Sequence, residues 1–326
     1  MQKNQDDVVK VTTSLAGLQI TCSADSATKS MLRSFEPTAS TLPRSTDLEI
    51  QITQDQHSLG EVIGKFGSAS THLRHGNNHA WINQQPRCLQ TFMVATPSQA
   101  RLILDECADH DAATSARPAS YSIATWATYN NIFPLHASAV SLQGKGLIFV
   151  GEGGRGKTTT AIALAMHGWN LIADDSCFLT ARDNVYELHG LYATTIVTEE
   201  VARRCTKFVG ERIGVTQEGK IASFLPREIT LVSRAQLRGL VFLNQHEDDD
   251  EPYRLTRLST REALSAWQEA LRPTQRVLAP STTLFTLMTN ASRNVPAWRL
   301  KLGWDFQSID RTLRQQMKVD HEHFDS

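Results

Sequence analysis

The stretch Gly151-Glu152-Gly153-Gly154-Arg155-Gly156-Lys157-Thr158 decides which fold we expect for this chain. It has the pattern G-x-x-x-x-G-K-T, whose glycines allow successive backbone N–H groups to turn inward around a polyphosphate. The apolar run Gly146 to Val150 precedes it and predicts a buried strand. Thr158 to His167 follows and predicts a helix with Gly168 at its C-terminal end. The order of strand, loop and helix is the one that a phosphate-binding loop requires.

The residues of this loop have distinct expected roles. Lys157 is expected to reach the β- and γ-phosphates of a nucleotide, and the Thr158 hydroxyl to bind Mg²⁺. The N-terminus of the helix adds its positive end. The residues expected to bind the nucleotide are Gly151, Gly153, Gly154, Arg155, Gly156, Lys157, Thr158 and Thr159. The alternative is a glycine-rich turn that matches the pattern by accident.

Two carboxylates follow the next predicted strand, which covers the apolar residues from Trp169 to Ala173. Asp174 and Asp175 end this strand, and α/β sheets present their functional groups at the carboxyl ends of strands, where the loop also lies. One carboxylate can hold Mg²⁺, and the other can accept the proton of an attacking hydroxyl. Aspartates are also common in turns after strands, which is the alternative explanation.

A histidine lies near the start of the strand expected to pair with the strand of the phosphate loop. Leu135 to Leu142 predicts this partner strand, and Gln143 to Gly146 predicts the turn that makes the pair an antiparallel hairpin. His136 is therefore either a structural histidine or a group near the phosphates, and its position alone favours neither.

These segments resemble the C-terminal catalytic domain of HPr kinase/phosphorylase. The matching segments are His136 to Val140, Gly151 to Thr158, and Leu171 to Asp175. Enzymes of that family phosphorylate a serine on a bacterial sugar-transport phosphocarrier and are related to ATP-dependent phosphoenolpyruvate carboxykinase. The resemblance implies that His136 and the pair Asp174–Asp175 belong to a catalytic site.

The resemblance also implies a further acidic residue in the site. The family has a Glu-x-Arg-Gly-Leu segment, and residues 187–191 read Glu-x-His-Gly-Leu. Glu187 is thereby expected on the side of the metal ion, while His189 replaces the arginine. Without the resemblance, Glu187 would be an ordinary surface acid.

The resemblance covers roughly residues 130–245 and weakens beyond them. The proline- and arginine-rich segment that is tied to phosphorylase activity is not found, and the N-terminal part differs from that of the bona fide enzymes. The chain looks more like the divergent HPr-kinase-like proteins encoded beside bacterial peptide-modification genes. Some of those, the lasso-peptide kinases, phosphorylate a serine on a precursor peptide.

The expected fold class is α/β, with an HPr kinase/phosphoenolpyruvate carboxykinase-type P-loop catalytic domain over residues 121–326. Residues 1–120 are expected to form an α/β accessory domain. Apolar and polar residues alternate near Leu18 to Cys22 and Leu48 to Ile52, which predicts half-buried strands. A helix is predicted from Pro97, with Ala100, Ile103, Leu104 and Cys107 on one face.

Composition excludes several classes of protein. The 326 residues have a net charge of −1, so no basic excess indicates nucleic acid. The chain has no apolar run of about eighteen residues, so no membrane span is predicted, and its N-terminus lacks the apolar core of a signal peptide. The 5 cysteines include no C-x-x-C pair, which favours reduced thiols in a cytoplasmic protein.

The resulting hypothesis is an ATP- and Mg²⁺-dependent kinase acting on a serine or threonine of a peptide or small protein. Asp175 is expected to be the base, and Thr158, Asp174 and Glu187 are expected to bind the metal ion. The sequence does not decide which of the two aspartates is the base and which is the metal ligand. Two alternatives remain: a small-molecule kinase or carboxykinase-like enzyme, and a nucleotide-dependent regulatory module. The bona fide family members are hexamers, so this chain can also form a homo-oligomer. The sequence does not decide between the two states, nor whether the reverse phosphorolysis occurs.

Overall fold

A computed structural model describes residues 8–35, 45–54, 71–76, 78–84, 87–104, 111–244, 253–270 and 281–322. The strands are β1 Val9–Leu15, β2 Leu18–Ala24, β3 Leu48–Gln54, β4 Thr71–His75, β5 Asn78–Gln84, β6 Arg87–Met93, β7 Ser98–Leu104, β8 Phe133–Leu135, β9 Ala137–Leu142, β10 Lys145–Val150, β11 Asn170–Ala173, β12 Cys177–Arg182, β13 Val185–His189, β14 Thr194–Val197, β15 Arg212–Val215, β16 Ile221–Phe224, β17 Arg234–Asn244, β18 Arg254–Arg257 and β19 Ala297–Lys301. The α-helices are α1 Ala112–Ala116, α2 Ser120–Tyr129, α3 Lys157–Met166, α4 Glu199–Arg204, α5 Thr260–Ala270, α6 Ser281–Asn294 and α7 Phe306–Glu322.

The chain forms two compact units. The first unit combines Met1–Asn131 with Leu191–Leu225, and the second combines Ile132–Gly190 with Pro226–Ser326. The predicted boundary at residue 120 differs from this division, because it places residues 191–225 in the catalytic domain. Those residues belong to the first unit through tertiary contacts that local sequence patterns do not predict. For example, the Tyr192 hydroxyl donates to the carbonyl of Pro118 at 2.8 Å.

The first unit contains a seven-stranded sheet in the order β1-β2-β3-β7-β6-β5-β4 and a three-stranded sheet in the order β14-β16-β15. The predicted helix after Pro97 is wrong, because Ser98–Leu104 is strand β7, paired with β3 and β6. Ala100, Leu102 and Leu104 are buried in alternation with more exposed neighbours, as a half-buried strand requires. The predicted helix also included Cys107, which lies outside the described residues.

The second unit is built on a nine-stranded mixed sheet. Its main path is β11-β9-β10-β17-β13-β12-β8, and β19 continues it by pairing with both β17 and β18. The predicted hairpin is confirmed, since β9 and β10 pair antiparallel. Strands β10, β17 and β19 run parallel, so their carboxyl ends lie at one edge.

Two layers of helices cover the second unit's sheet. Helices α5 and α6 pack on one face over a core that includes Ile148, Phe242 and Trp267. On the other side, α3 packs against β9, β10 and β11, and α7 packs against α3. The Trp169 indole N–H donates to Asp310 of α7 at 2.6 Å, which fastens α7 near the end of α3. The mixed α/β fold class is thereby confirmed.

Two local predictions in the second unit have different outcomes. Helix α3 ends before Gly168, whose φ of 89° is the left-handed conformation expected at a helix C-terminus, as predicted. The single strand predicted from Leu135 to Leu142 is instead β8 and β9, separated at His136. The reason is that β8 pairs with β12 whereas β9 pairs with β10 and β11, so the chain changes partner there.

Within the residues that the structure describes, none of the helices combines the length and the apolar composition needed to cross a membrane.

Candidate functional site

The glycine-rich loop joins the end of β10 directly to the first residue of α3. Gly154 and Gly156 have φ values of 79° and 85°, in the left-handed region that favours glycine. A Cβ added to Gly156 would also lie 2.5 Å from Leu302 Cδ1, so space as well as backbone conformation requires a glycine there. The loop therefore closes tightly onto the helix N-terminus, where backbone N–H groups without a helical partner can meet an anion.

The Lys157 ammonium lies inside the loop. Lys157 is only 6% exposed, and its Nζ donates to the carbonyl oxygens of Gly151 at 2.9 Å and Glu152 at 3.0 Å. The loop's own backbone thus holds the positive charge at the position where the pattern predicts a phosphate contact.

A buried carboxylate connects the first turn of α3 with two strands. Asp174 follows β11 and is 3% exposed. Its Oδ1 accepts hydrogen bonds from the Thr158 hydroxyl at 2.7 Å and from the Ser138 hydroxyl at 2.8 Å. Hydrogen bonds from two hydroxyls offset part of the cost of burying the carboxylate. The structure therefore brings the predicted residues Thr158 and Asp174 together.

Ser138 was not assigned a role from the sequence. It lies on β9 between Ala137 and Ala139, which belong to the core, so strand alternation puts its hydroxyl on the opposite face. The available signal was a serine between two alanines in a strand next to the glycine-rich loop.

The neighbouring carboxylate points to a different partner. Asp175 Oδ1 lies 2.6 Å from His136 Nδ1, with the side chains 28% and 8% exposed respectively. Asp175 has a φ of 62°, and the N–H of Ser176 donates to the carbonyl of Asp174 at 2.7 Å, closing a three-residue turn. Positive φ is costly for an aspartate, and such strain concentrates at functional sites. This turn separates the two carboxylates, so that one meets Thr158 and the other meets His136.

Glu187 lies further along the sheet, on β13. Tyr186 and Leu188 belong to the core, so alternation places half-buried Glu187 on the opposite face of the sheet. Its register partners are Thr180 and Gln236. Among the described residues, Glu187 makes no hydrogen bond or ion pair with the group formed by Thr158, Asp174 and Ser138.

The segment after Glu187 differs chemically from the arginine-containing motif that it resembles. The His189 ring lies 3.0 Å from the Thr180 hydroxyl. Burial and the nearby Arg234 cation lower the pKa of His189 to about 4, so the ring is neutral at neutral pH. The motif's glycine has a steric role: a Cβ on Gly190 would lie 1.7 Å from the carbonyl oxygen of Ile172. Close approach at Gly190 thus holds the end of β13 against the strand that carries the two aspartates.

A pocket lies at the carboxyl ends of β10, β17 and β19, on the side of β10 away from β9 and β11. Its volume is ≈160 Å³. One group of lining residues is apolar and the other is polar or charged. The apolar residues are Val150, Phe242, Leu243 and Ala266, the others are Glu152, Arg155, Asn244 and Arg299, and Gly151 completes the lining. Gly151 and Arg155 are predicted from the sequence, whereas the lining residues of β17 and β19 are not, because only strand pairing brings them to the loop.

No group of three or more His, Cys, Asp or Glu side chains suited to holding a metal ion occurs among the side chains that the structure describes.

Comparison with known proteins finds one local sequence relationship. No protein-family model matches the chain. HPr kinase/phosphorylase from Lactobacillus delbrueckii subsp. bulgaricus is 44% identical over 50 residues. This chain is therefore related to HPr kinases in the matched segment. The predicted resemblance is thereby confirmed, and the match spans 15% of this chain and 16% of that protein.

A solved structure of the Hpr(Ser) kinase/phosphatase from Coxiella burnetii aligns with 13% sequence identity and a TM-score of 0.29. That alignment covers 58% of this chain and 98% of the Coxiella chain.

Proposed function

We propose that this protein is an ATP- and Mg²⁺-dependent kinase that transfers the γ-phosphoryl group to a serine or threonine hydroxyl of a peptide or small protein. The observation that carries the proposal is that two adjacent carboxylates have different hydrogen-bonding partners. Asp174 bonds to the hydroxyl of Thr158 in the phosphate loop, whereas Asp175 pairs with His136. Phosphoryl transfer requires charge neutralisation and a positioned acceptor, and the two arrangements suit these two tasks.

The loop supplies the phosphate contacts. The backbone from Gly153 to Thr158 surrounds the phosphates, and Lys157 exchanges the carbonyls of Gly151 and Glu152 for phosphate oxygens. This exchange keeps the buried ammonium satisfied in both states, because it always has oxygen acceptors. Gly154, Arg155, Gly156 and Thr159 complete the proposed contact set.

The residues around Asp174 fit a magnesium ion. A carboxylate and a hydroxyl are the hard oxygen ligands that Mg²⁺ prefers, and this ion usually takes few protein ligands together with phosphate oxygens and water. Asp174 and Thr158 would hold it, directly or through water, while Ser138 orients the carboxylate. When bound, Mg²⁺ supplies neutralisation of the β- and γ-phosphate charge. Glu187 enters as a metal-side residue through the resemblance alone.

Asp175 is the proposed base. Its carboxylate is partly exposed and can therefore meet an acceptor hydroxyl. The hydroxyl proton passes to Asp175 as the acceptor oxygen bonds to the γ-phosphorus, and the bond from that phosphorus to the bridging oxygen breaks, releasing ADP. His136 orients the Asp175 carboxylate, since its Nδ1 lies against the oxygen that does not receive the proton.

The acceptor class is proposed from the resemblance. The family that this chain resembles phosphorylates a protein serine, and the Lactobacillus relative is named HPr kinase/phosphorylase, so a protein serine is the acceptor class that we infer here. The first unit is proposed to contribute to peptide recognition, because it is a compact unit with several exposed apolar side chains, Met93, Val94 and Tyr129. A purely structural role for this unit is the alternative.

The proposal is tested by incubating the full chain with ATP, Mg²⁺ and serine-containing peptides and measuring peptide mass. We expect some peptides to gain one phosphate, and the same peptides with Ser replaced by Ala to gain none. Lys157→Ala is the matched control, and it should lose both transfer and measurable ATP binding by calorimetry. Equal ATP affinity in Lys157→Ala would contradict the nucleotide site. Phosphate appearing only on small metabolites would favour a small-molecule or carboxykinase-like enzyme, and ATP binding without any transfer would favour a regulatory module.

A further inference from the structure

We infer that Arg234 contacts the phosphoryl group while this group passes from the nucleotide to the acceptor hydroxyl. The inference deepens the proposed function and rests on it, because it adds a cation to the phosphate contacts that the glycine-rich loop supplies. The guanidinium group stays protonated and donates N–H groups to the phosphoryl oxygens, so it takes no part in the bond changes at phosphorus.

Strand pairing places Arg234 beside the segment that resembles a family motif. Arg234 is the first residue of β17 and the register partner of His189 on β13. Residues directly opposite each other in an antiparallel pair present their side chains on the same face. The Arg234 charge is the second cause, after burial, of the lowered pKa of His189, which agrees with this position. Where the motif has an arginine, this chain therefore has a neutral histidine with an arginine directly opposite.

Arg234 lies on the same face of the sheet as other residues of the proposed site. Ala235 belongs to the core of the second unit, so strand alternation places Arg234 on the face away from that core. Ser138, whose hydroxyl donates to Asp174, lies on the face away from the core as well, and so does Glu187. The cation and the carboxylates thus share one face.

Close contacts join the start of β17 to the strand that carries the aspartates. The N–H of Gly190, which follows β13, donates to the carbonyl of Ser233 at 3.0 Å. A Cβ on Gly190 would lie 1.7 Å from the carbonyl oxygen of Ile172 on β11. Leu171 of β11 also forms a parallel bridge with Leu231. The backbone just before β17 therefore runs beside β11, which the two aspartates follow.

The charges of the proposed site require cations. Asp174, Asp175 and Glu187 are carboxylates, and the phosphoryl group adds further negative charge, which preorganised cations stabilise during transfer. Lys157 lies inside the loop, where the loop's carbonyl oxygens accept from it. Arg234 is exposed and forms no ion pair with another residue that the structure describes. Its planar guanidinium group is therefore available to a phosphoryl group, whose oxygens suit its fixed donors.

The first test uses the full chain, Mg²⁺ and a peptide that the wild-type protein phosphorylates. In Arg234→Gln we expect kcat to fall roughly 10²-fold, as when one donor to transition-state charge is removed. ATP affinity from calorimetry should change less than about twofold, because the lost contact forms only during transfer. Arg238→Gln is the matched control, since Arg238 is another exposed arginine of β17, and it should change neither quantity.

A second test separates a phosphoryl contact from a role in folding. ADP with aluminium fluoride and Mg²⁺ mimics the phosphoryl group during transfer, so the wild type and Arg238→Gln should bind it more tightly than ADP alone. Arg234→Gln should lose most of this difference, whereas Arg234→Lys should keep part of it because the charge remains. Added guanidinium, at a concentration that leaves the protein folded, should partly restore transfer in Arg234→Ala.

Equal kcat values in Arg234→Gln and Arg238→Gln would overturn the inference and leave the kinase function intact. An equal loss of affinity for ADP with and without aluminium fluoride would also overturn it, because Arg234 would then act in nucleotide binding or folding. If the wild type phosphorylates no peptide but binds ADP with aluminium fluoride in an Arg234-dependent way, the phosphoryl contact is supported and the peptide acceptor is wrong. A wild type that binds no ATP would remove the kinase function, and the inference with it.

Discussion

The two sides of strand β10 differ in chemistry although they share one glycine-rich loop. On the side of β9 and β11, two hydroxyls, a histidine and two carboxylates form short hydrogen-bonded pairs. On the side of β17 and β19, four apolar residues and four polar or charged residues line a pocket together with Gly151. We call these the carboxylate side and the pocket side. The difference teaches that one glycine-rich loop can adjoin two chemically different regions, because neighbouring strands end on either side of it.

The carboxylate side is itself divided by backbone conformation. Asp174 continues from β11 and is buried against Thr158, whereas Asp175 turns away at a φ of 62° and is 28% exposed. Two adjacent residues of one type thus obtain different surroundings, which is how neighbouring carboxylates acquire separate roles. None of the residues that line the pocket has a positive φ.

The largest expected effect is on the rate of transfer in Asp175→Asn. Loss of a positioned base should lower kcat by roughly 10²- to 10⁴-fold, while ATP affinity remains unchanged because the glycine-rich loop is intact. His136→Gln should lower kcat less, since an amide can still hold the Asp175 carboxylate. Steady-state kinetics at saturating ATP and peptide, with ATP affinity from calorimetry, check both. If Asp174→Asn shows this behaviour instead, the roles within the pair are exchanged.

A structural effect is expected next, from Gly190→Ala. The added Cβ would lie 1.7 Å from the Ile172 carbonyl oxygen, so β13 must move away from the strand that carries the aspartates. We expect a loss of about 3 kcal/mol in the free energy of unfolding, measured with urea. Gly144→Ala is the control: Gly144 has a φ of 77° but no atom within 4 Å of its added Cβ, so its cost should be about 1 kcal/mol. Equal stability of Gly190→Ala and wild type would show that the close approach is unimportant.

The smallest effect is expected for Asp174→Asn, which keeps the hydrogen bonds to hydroxyls but removes the charge. The Mg²⁺ concentration needed for half-maximal transfer should rise roughly 10- to 100-fold, in the range seen when the shell of a metal is altered. Activity at saturating Mg²⁺ should largely recover. Titration of Mg²⁺ at fixed ATP measures the shift. Ser138→Ala serves for comparison, and its smaller shift would follow from losing only one orienting hydrogen bond. An unchanged Mg²⁺ requirement in Asp174→Asn would remove this residue from the metal site.

Predictions from the sequence succeeded where a single segment carried the whole pattern. Strand β10, the loop and helix α3 follow from residues 146–168, because glycine conformations and a helix C-terminus are local properties. The helix predicted after Pro97 failed because this segment offers two apolar faces. Ala100, Ile103 and Leu104 fit a helix, whereas Ala100, Leu102 and Leu104 fit a strand. Pairing of β7 with β3 and β6 decided between the two, and this depends on residues far away in the chain.

The sequence by itself determined which chemical groups are available: a glycine-rich loop with the phosphate-binding pattern, an apolar strand before it, and two carboxylates after the next strand. Those features depend on residue types and short spacings, which are visible without a fold. Only the tertiary structure decided how the two aspartates divide their partners, since this depends on one positive φ and on Ser138 from another strand. It alone placed Asn244 and Arg299 beside the loop, because parallel pairing of β10, β17 and β19 joins Val150 to Phe242 and Phe242 to Arg299, which are distant in the chain.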